Sequence, residues 1–142
     1  MKARRAILCV DDEAIILMAL RQELKSVFGD AFVYETALDA YGAFRIITEL
    51  SGDGIELVLI ITDWLMPGMR GDEFLDRVER EHPAIRAVMI TGQADPGAEE
   101  RVRSAPNVLA VLRKPWKPDQ LIGVIRDHCG PGLVRPAGGE GA

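Results

Sequence analysis

Cysteine is scarce, with two thiols, Cys9 and Cys129, in 142 residues. That excludes a disulfide framework and fits a reducing compartment. No apolar run approaches the roughly 20 residues of a membrane-spanning helix. The basic start M1-K-A-R-R5 leads into an apolar stretch, 6–10, that stops at Asp11-Asp12, too short for the core of a signal peptide. Excess positive charge is also missing, since 17 Lys+Arg against 22 Asp+Glu leave a formal −5. No broad field therefore draws the chain to nucleic acid or anionic lipid. These absences predict a cytoplasmic protein that neither inserts in a membrane nor contacts nucleic acid directly. What is present, 48% hydrophobic and 27% charged residues, is ordinary for one globular domain large enough to bury its own core.

Along the chain, short apolar runs alternate with longer segments of helical period, the signature of an α/β sheet. The runs are continuous rather than alternating, which predicts parallel strands covered on both faces. Strands are expected at 6–10, 32–35, 56–62, 87–91 and 108–112, and helices at 13–28, 38–50, 71–81, 96–104 and 118–129. Leu17, Leu20, Leu24 and Val27 form one buried stripe in the first helix, and Leu121, Ile122, Ile125 and Cys129 another in the last. Asp95-Pro96 is a good cap and first-turn pair for the fourth helix. Beyond it, G97-A-E-E-R-V-R-S-A105 offers only Val102 and alanines for burial, so this helix should be the loosest. From Gly130 onward, five glycines and two prolines in thirteen residues predict a disordered tail, 130–142, after a domain at 1–129.

In an open parallel sheet, ligands bind outside the carboxyl ends of the strands, and right-handed crossovers gather those ends on one edge. Asp11, Asp12 and Glu13 follow the first strand, Asp63 ends the third, Thr91 ends the fourth, and Lys114-Pro115 follows the fifth. Each alone has a plain reading: a helix cap for Asp11-Asp12, a turn residue for Asp63 or Thr91, a solvated loop for Lys114-Pro115. Together they ask for more. Two carboxylates about 4 Å apart repel by on the order of 4 kcal/mol at an effective dielectric near 20, and three invite protonation or a cation. A few hard oxygen ligands suit Mg²⁺, commonly shared with a phosphate. A carboxylate can itself attack phosphorus, with Thr91 as hydroxyl donor and Lys114 as point charge for the phosphoryl oxygens. Pro115 keeps Lys114 out of helical geometry, and a cis Lys114–Pro115 bond is expected to aim the ammonium inward.

V10-D-D-E13, T62-D-W-L-M-P-G-M-R-G71, M89-I-T-G92 and L112-R-K-P-W116, with Asp63 midway between Asp12 and Lys114, resemble a response-regulator receiver domain (CheY-like) of two-component signalling over residues 5–129. The resemblance implies a flavodoxin-like, doubly wound five-stranded parallel sheet in the order 2-1-3-4-5 with five helices. It implies that Asp63 accepts phosphate from a sensor histidine kinase or phosphotransfer protein. Asp11, Asp12, Asp63 and the backbone carbonyl of Leu65 would hold Mg²⁺, Thr91 and Lys114 would bind the phosphoryl group, and Pro67 and Gly71 would shape the loop. Family members often carry Tyr or Phe where this chain has Val111, so an aromatic rotamer cannot report a Thr91 shift, and output is expected through the weakly packed fourth helix. Leu65 and Gln93 occupy positions that tune hydrolytic water in the family, and an apolar Leu65 is expected to slow dephosphorylation.

Trp116 reads either as an aromatic lid on the fifth helix, the preferred reading, or as an exposed binding anchor. His82 and His128 read as helix-end residues. The alternative function is a Mg²⁺-dependent phosphohydrolase with an aspartyl nucleophile, disfavoured because an apolar Leu65 stands where such enzymes place an acid/base carboxyl. A flavin or nucleotide binder is disfavoured because Asp11-Asp12-Glu13 stands where a Gly-rich phosphate loop would be. With no output domain after residue 129, the expected action is on another protein, unless the tail is a cut linker. The fourth and fifth helices are a candidate surface for a homodimer.

Overall fold

The computed structural model describes residues 4–92 and 96–129. Five strands alternate with five helices: β1 (Arg5–Val10), α1 (Ala14–Phe28), β2 (Val33–Ala37), α2 (Ala40–Gly52), β3 (Glu56–Thr62), α3 (Gly71–Glu81), β4 (Arg86–Thr91), α4 (Pro96–Arg103), β5 (Val108–Arg113) and α5 (Pro118–Cys129). The strands form one sheet in the order β2-β1-β3-β4-β5, and every pairing is parallel. This is the flavodoxin-like order expected from the sequence.

The continuous apolar runs resolve into two faces by the period of two that a strand imposes. Ala6, Leu8, Val10, Ile60, Ala87 and Met89 face one layer, built by α2 and α3 with Val102 of α4. Ile7, Cys9, Leu59, Ile61, Val88 and Ile90 face the other, built by α1 and α5. At roughly 1.5–3 kcal/mol for each fully buried large apolar side chain, this two-sided burial is why β1, β3 and β4 carry only apolar residues between their first and last positions.

Helix boundaries follow local chemistry. Asp39 caps α2 by accepting the Gly42 backbone N–H at 2.7 Å, so the helix starts at Ala40 rather than at 38. In α1 the fourth stripe residue is Phe28, 2% exposed, while Val27 is only partly buried. Cys129 likewise sits at the edge of the stripe of α5 rather than within it. Phe32, expected to open β2, precedes it, buried and edge-on to Phe28 with ring centroids 5.6 Å apart. Among the described side chains of α4 only Val102 is buried. No helix among the described residues is long and apolar enough to cross a membrane. The expected cap Asp95, Gln93 and the tail 130–142 lie outside the described residues.

Candidate functional site

Strand register assembles the charged groups. Val10 pairs with Thr62 across β1 and β3, so the next residues, Asp11 and Asp63, emerge side by side. Their backbones are fixed there, with Asp11 N–H donating to Ala37 O at 3.1 Å and Asp63 N–H to Val10 O at 3.0 Å. On the other side, Thr62 pairs with Met89 of β4, two residues before Thr91, and Lys114 N–H donates to Thr91 O at 2.9 Å. Thr91 is 1% exposed. Register alone thus places four of the predicted residues at one edge of the sheet.

The side chains converge. One carboxylate oxygen from each of Asp11, Asp12 and Asp63 lies within 4.8 Å of the others. Lys114 Nζ donates to Asp11 Oδ2 at 2.9 Å and lies 3.4 Å from Asp63 Oδ2 and 3.9 Å from Glu13 Oε1. The Lys114–Pro115 peptide is cis, as expected. Asp11 and Asp63 are buried, whereas Asp12 is exposed. Burial, and then the charge of Asp11, push the Asp63 carboxyl above the ordinary carboxylate range, and Lys114 and the Trp64 N–H only partly oppose this. Burial alone would lower Lys114, but Asp11 and Asp63 outweigh it and hold the ammonium above its usual range. Three carboxylates facing one ammonium remain an excess of negative charge. Asp11 also has the plainer role, its Oδ1 accepting the Glu13 N–H at 2.9 Å ahead of α1, whose N-cap is Glu13.

The loop after Asp63 is tightly specified. Trp64 N–H donates to Asp63 Oδ1 at 2.8 Å, Thr62 Oγ1 donates to Asp63 O at 3.0 Å, and Gly71 N–H donates to Trp64 O at 2.6 Å. A Cβ at Gly71 would stand 2.1 Å from Asp63 O and 2.9 Å from Trp64 Cα, so close backbone approach is the reason for glycine there. Gly68 has φ 85 after Pro67, the pairing of a type II turn. Leu65, 46% exposed, joins Asp12, Glu13, Asp63, Thr91, Gly92 and Lys114 around an opening of about 190 Å³. A larger cavity of about 390 Å³ lies between α3 and α4, apart from this chemistry.

Val111 is buried, 7% exposed, in the apolar layer that holds Val102. Trp116 packs on the opposite layer, and its Nε1 donates to Glu23 Oε1 of α1 at 2.8 Å, so it bridges to α1 instead of standing free. His82 caps the C-terminal end of α3 and His128 lies in the last turn of α5. One neighbour of the site was not legible in the sequence: Asp72, whose Oδ1 accepts the Trp64 indole N–H at 3.1 Å. The eight-residue gap from Trp64 to Asp72 has no local periodicity that pairs them.

A family model described as the response regulator receiver domain matches residues 7–126. The chain belongs to this family. As a receiver it is 31% identical over 130 residues to the hydrogenase transcriptional regulatory protein HoxA of Cupriavidus necator, covering 84% of this chain and 23% of that one. It is 28% identical over 121 residues to the response regulator RppA of Synechocystis sp., covering 84% of this chain and 48% of that one. The chain therefore spans about a quarter and about half the length of these relatives. The receiver domain of an HD domain-containing protein from Pseudomonas fluorescens has the same fold, with a TM-score of 0.77 at 25% identity, covering 89% of this chain and 94% of that one. Receivers are signalling modules of two-component systems, and this receiver carries the acidic cluster of Asp11, Asp12 and Asp63 at the edge where its sheet opens.

Proposed function

We propose that this receiver accepts a phosphoryl group on Asp63 from the phosphohistidine of a sensor histidine kinase or phosphotransfer protein, and signals in the cytoplasm by binding a downstream protein. The observation that carries the reading is the meeting of three carboxylates and the Lys114 ammonium at one sheet edge. The N–P bond of the donor breaks as a bond from an Asp63 oxygen to phosphorus forms, and the departing imidazole nitrogen keeps the electron pair. Asp63 Oδ1 is held by the Trp64 N–H, which leaves Oδ2, beside Lys114, for attack. Lys114 then turns from the carboxylates to the incoming phosphoryl oxygens, and the Thr91 hydroxyl donates to another. Transfer to a carboxylate asks the protein mainly to position groups and neutralise charge.

The close-set hard oxygens fit Mg²⁺, which would be held by Asp11, Asp12, Asp63 and the Leu65 carbonyl. When bound, it supplies the positive charge that lets an anionic carboxylate approach an anionic phosphoryl group. The exposed apolar Leu65 offers no group to activate water, which supports a long-lived phosphoryl state over a hydrolase.

Incubation with Mg²⁺ and acetyl phosphate tests this. A stoichiometric gain of one phosphoryl group by mass, lost in Asp63→Asn and in chelator, is expected. Sustained turnover of a phosphoester, or phosphorylation persisting in Asp63→Asn, would overturn it.

A further inference from the structure

The Asp72 side chain in the first turn of α3 is only 14% exposed, unusual for an acid at a helix start, where complementing the helix dipole requires no burial. Its Oδ1 accepts from Trp64 Nε1 at 3.1 Å and from Arg70 Nε at 3.0 Å, and its Oδ2 accepts from Arg70 Nη2 at 3.1 Å. The same Oδ2 lies 3.7 Å from Arg101 Nη2 on α4. Trp64, held by its indole, is the residue whose backbone N–H grips Asp63 Oδ1 at 2.8 Å. Asp63, Trp64, Asp72 and Arg101 therefore form one chain of contacts from the acceptor carboxylate to α4.

A second tether reaches α4 from the other side of the site. Glu99 of α4 pairs with Arg113 at 2.9 Å, and Arg113 directly precedes Lys114. Between these tethers Val102 is the one buried side chain among the described residues of α4. Apolar packing thus fixes this helix weakly, and two ionic contacts, from Arg101 to Asp72 at 3.7 Å and from Glu99 to Arg113 at 2.9 Å, join it to residues beside the site. Val111, an aliphatic residue packed in the same layer, offers no swinging ring to do this.

We propose that Asp72 is a positioning residue for the Asp63 site and the joint that ties it to α4. By holding Trp64 and Arg101 at once, it makes the placement of the acceptor carboxylate and the placement of α4 one equilibrium, so each biases the other. The inference rests on Asp63 being the acceptor, and it gives that reading its output route.

The test uses the full chain in a Trp116→Phe background, which leaves Trp64 as the sole tryptophan. Asp72→Asn keeps an acceptor for the indole but removes the charge facing Arg101. Asp72→Ala removes both, and Arg101→Gln, at a side chain 67% exposed, removes only the α4 end. Trp64 emission, acetyl phosphate uptake in Mg²⁺, and amide exchange over 97–104 are read for each. Misplacing the acceptor should slow uptake in Asp72→Ala by about tenfold, whereas Asp72→Asn and Arg101→Gln stay within about twofold of the parent because an exposed pair is weak. All three should lose most of the phosphorylation-dependent change in exchange over 97–104, and Asp72→Ala alone should shift Trp64 emission to longer wavelength.

A parent-like exchange response in Arg101→Gln, or parent-like uptake in Asp72→Ala, overturns the proposal. If the parent itself takes up no phosphoryl group, the acceptor reading fails, and the joint is still judged without phosphate. Unphosphorylated Asp72→Ala must then show both the emission shift and about threefold faster exchange in α4, and absence of either refutes it. Should Asp72→Ala not fold, Arg101→Gln decides by the same exchange measurement.

Discussion

Gly71→Ala adds a single methyl group, and its effect follows from what that methyl meets. The new Cβ would stand 2.1 Å from Asp63 O and 2.9 Å from Trp64 Cα, where ordinary carbon contacts begin near 3.5 Å. Both obstacles are backbone, so no side-chain rotation relieves them. The start of α3 and the loop after Asp63 must part by about 1 Å, which breaks the Gly71 N–H to Trp64 O bond now at 2.6 Å. Overpacking of this kind destabilises by roughly 1–3 kcal/mol, and the lost hydrogen bond adds about 1 kcal/mol. A loss of about 3 kcal/mol is therefore expected in urea unfolding, as a lower midpoint with unchanged m-value. Because the displaced atoms belong to Asp63 and Trp64, phosphorylation by acetyl phosphate should also slow by about a hundredfold, the usual effect of a 1 Å misplacement. An alanine variant within about 0.5 kcal/mol of the parent, the range of a neutral surface change, would show that the loop has room the geometry denies.

Asp63→Asn should raise the melting temperature at pH 7 in chelator. The folded site holds the Asp63 carboxyl above its usual range through burial and the charge of Asp11, so ionising it opposes folding. That penalty is absent below about pH 3.9, sets in as pH rises through the window between the unfolded and folded values, and is complete above the folded one. The gain should accordingly vanish at low pH in calorimetry, and a variant that melts below the parent at pH 7 refutes the charge argument. Leu65→Glu should shorten the proposed phosphoryl lifetime by roughly tenfold or more by placing a proton acceptor beside Asp63, read as loss of phosphoprotein over time, and an unchanged lifetime would count against Leu65 as a water screen. Burial pushes the Cys9 thiol up to about 12, so at pH 8 iodoacetamide should label the half-buried Cys129 and spare Cys9 until the protein unfolds. Native labelling of Cys9 at a comparable rate would contradict that burial.

Much of the fold was legible because strands and helices announce themselves locally. The continuous apolar runs at β1, β3 and β4 and the stripe of Leu17, Leu20 and Leu24 reflect burial that any partner layer would impose. Where the reading slipped, the deciding contact was more distant or more specific. Phe28 replaced Val27 because a bulky ring meets Phe32 edge-on at the turn into β2, and α2 began late because the Asp39 side chain, rather than the apolar pattern, set its start. The site residues were legible for a different reason, since the carboxyl ends of parallel strands share an edge by topology. Knowing the strand ends was therefore enough to bring Asp11, Asp12, Asp63, Thr91 and Lys114 together.

Trp64 shows the limit of that logic. Adjacency in sequence places it beside Asp63, but its purpose depends on Asp72 and Arg101, on two helices whose relative placement no local pattern encodes. Glycine at position 71 was likewise readable as loop chemistry, yet only the packed loop shows the Asp63 carbonyl within 2.1 Å of its missing methyl. The sequence by itself determined the α/β architecture, the edge at which charge gathers and the residue types gathered there, because these follow from hydrophobic period and chain topology. The tertiary structure decided which oxygen of Asp63 is held, which carboxylate Lys114 meets first, and how the loop after Asp63 reaches α4. Those depend on distances of a few ångströms between segments far apart in the chain, and such distances exist only once the layers have packed.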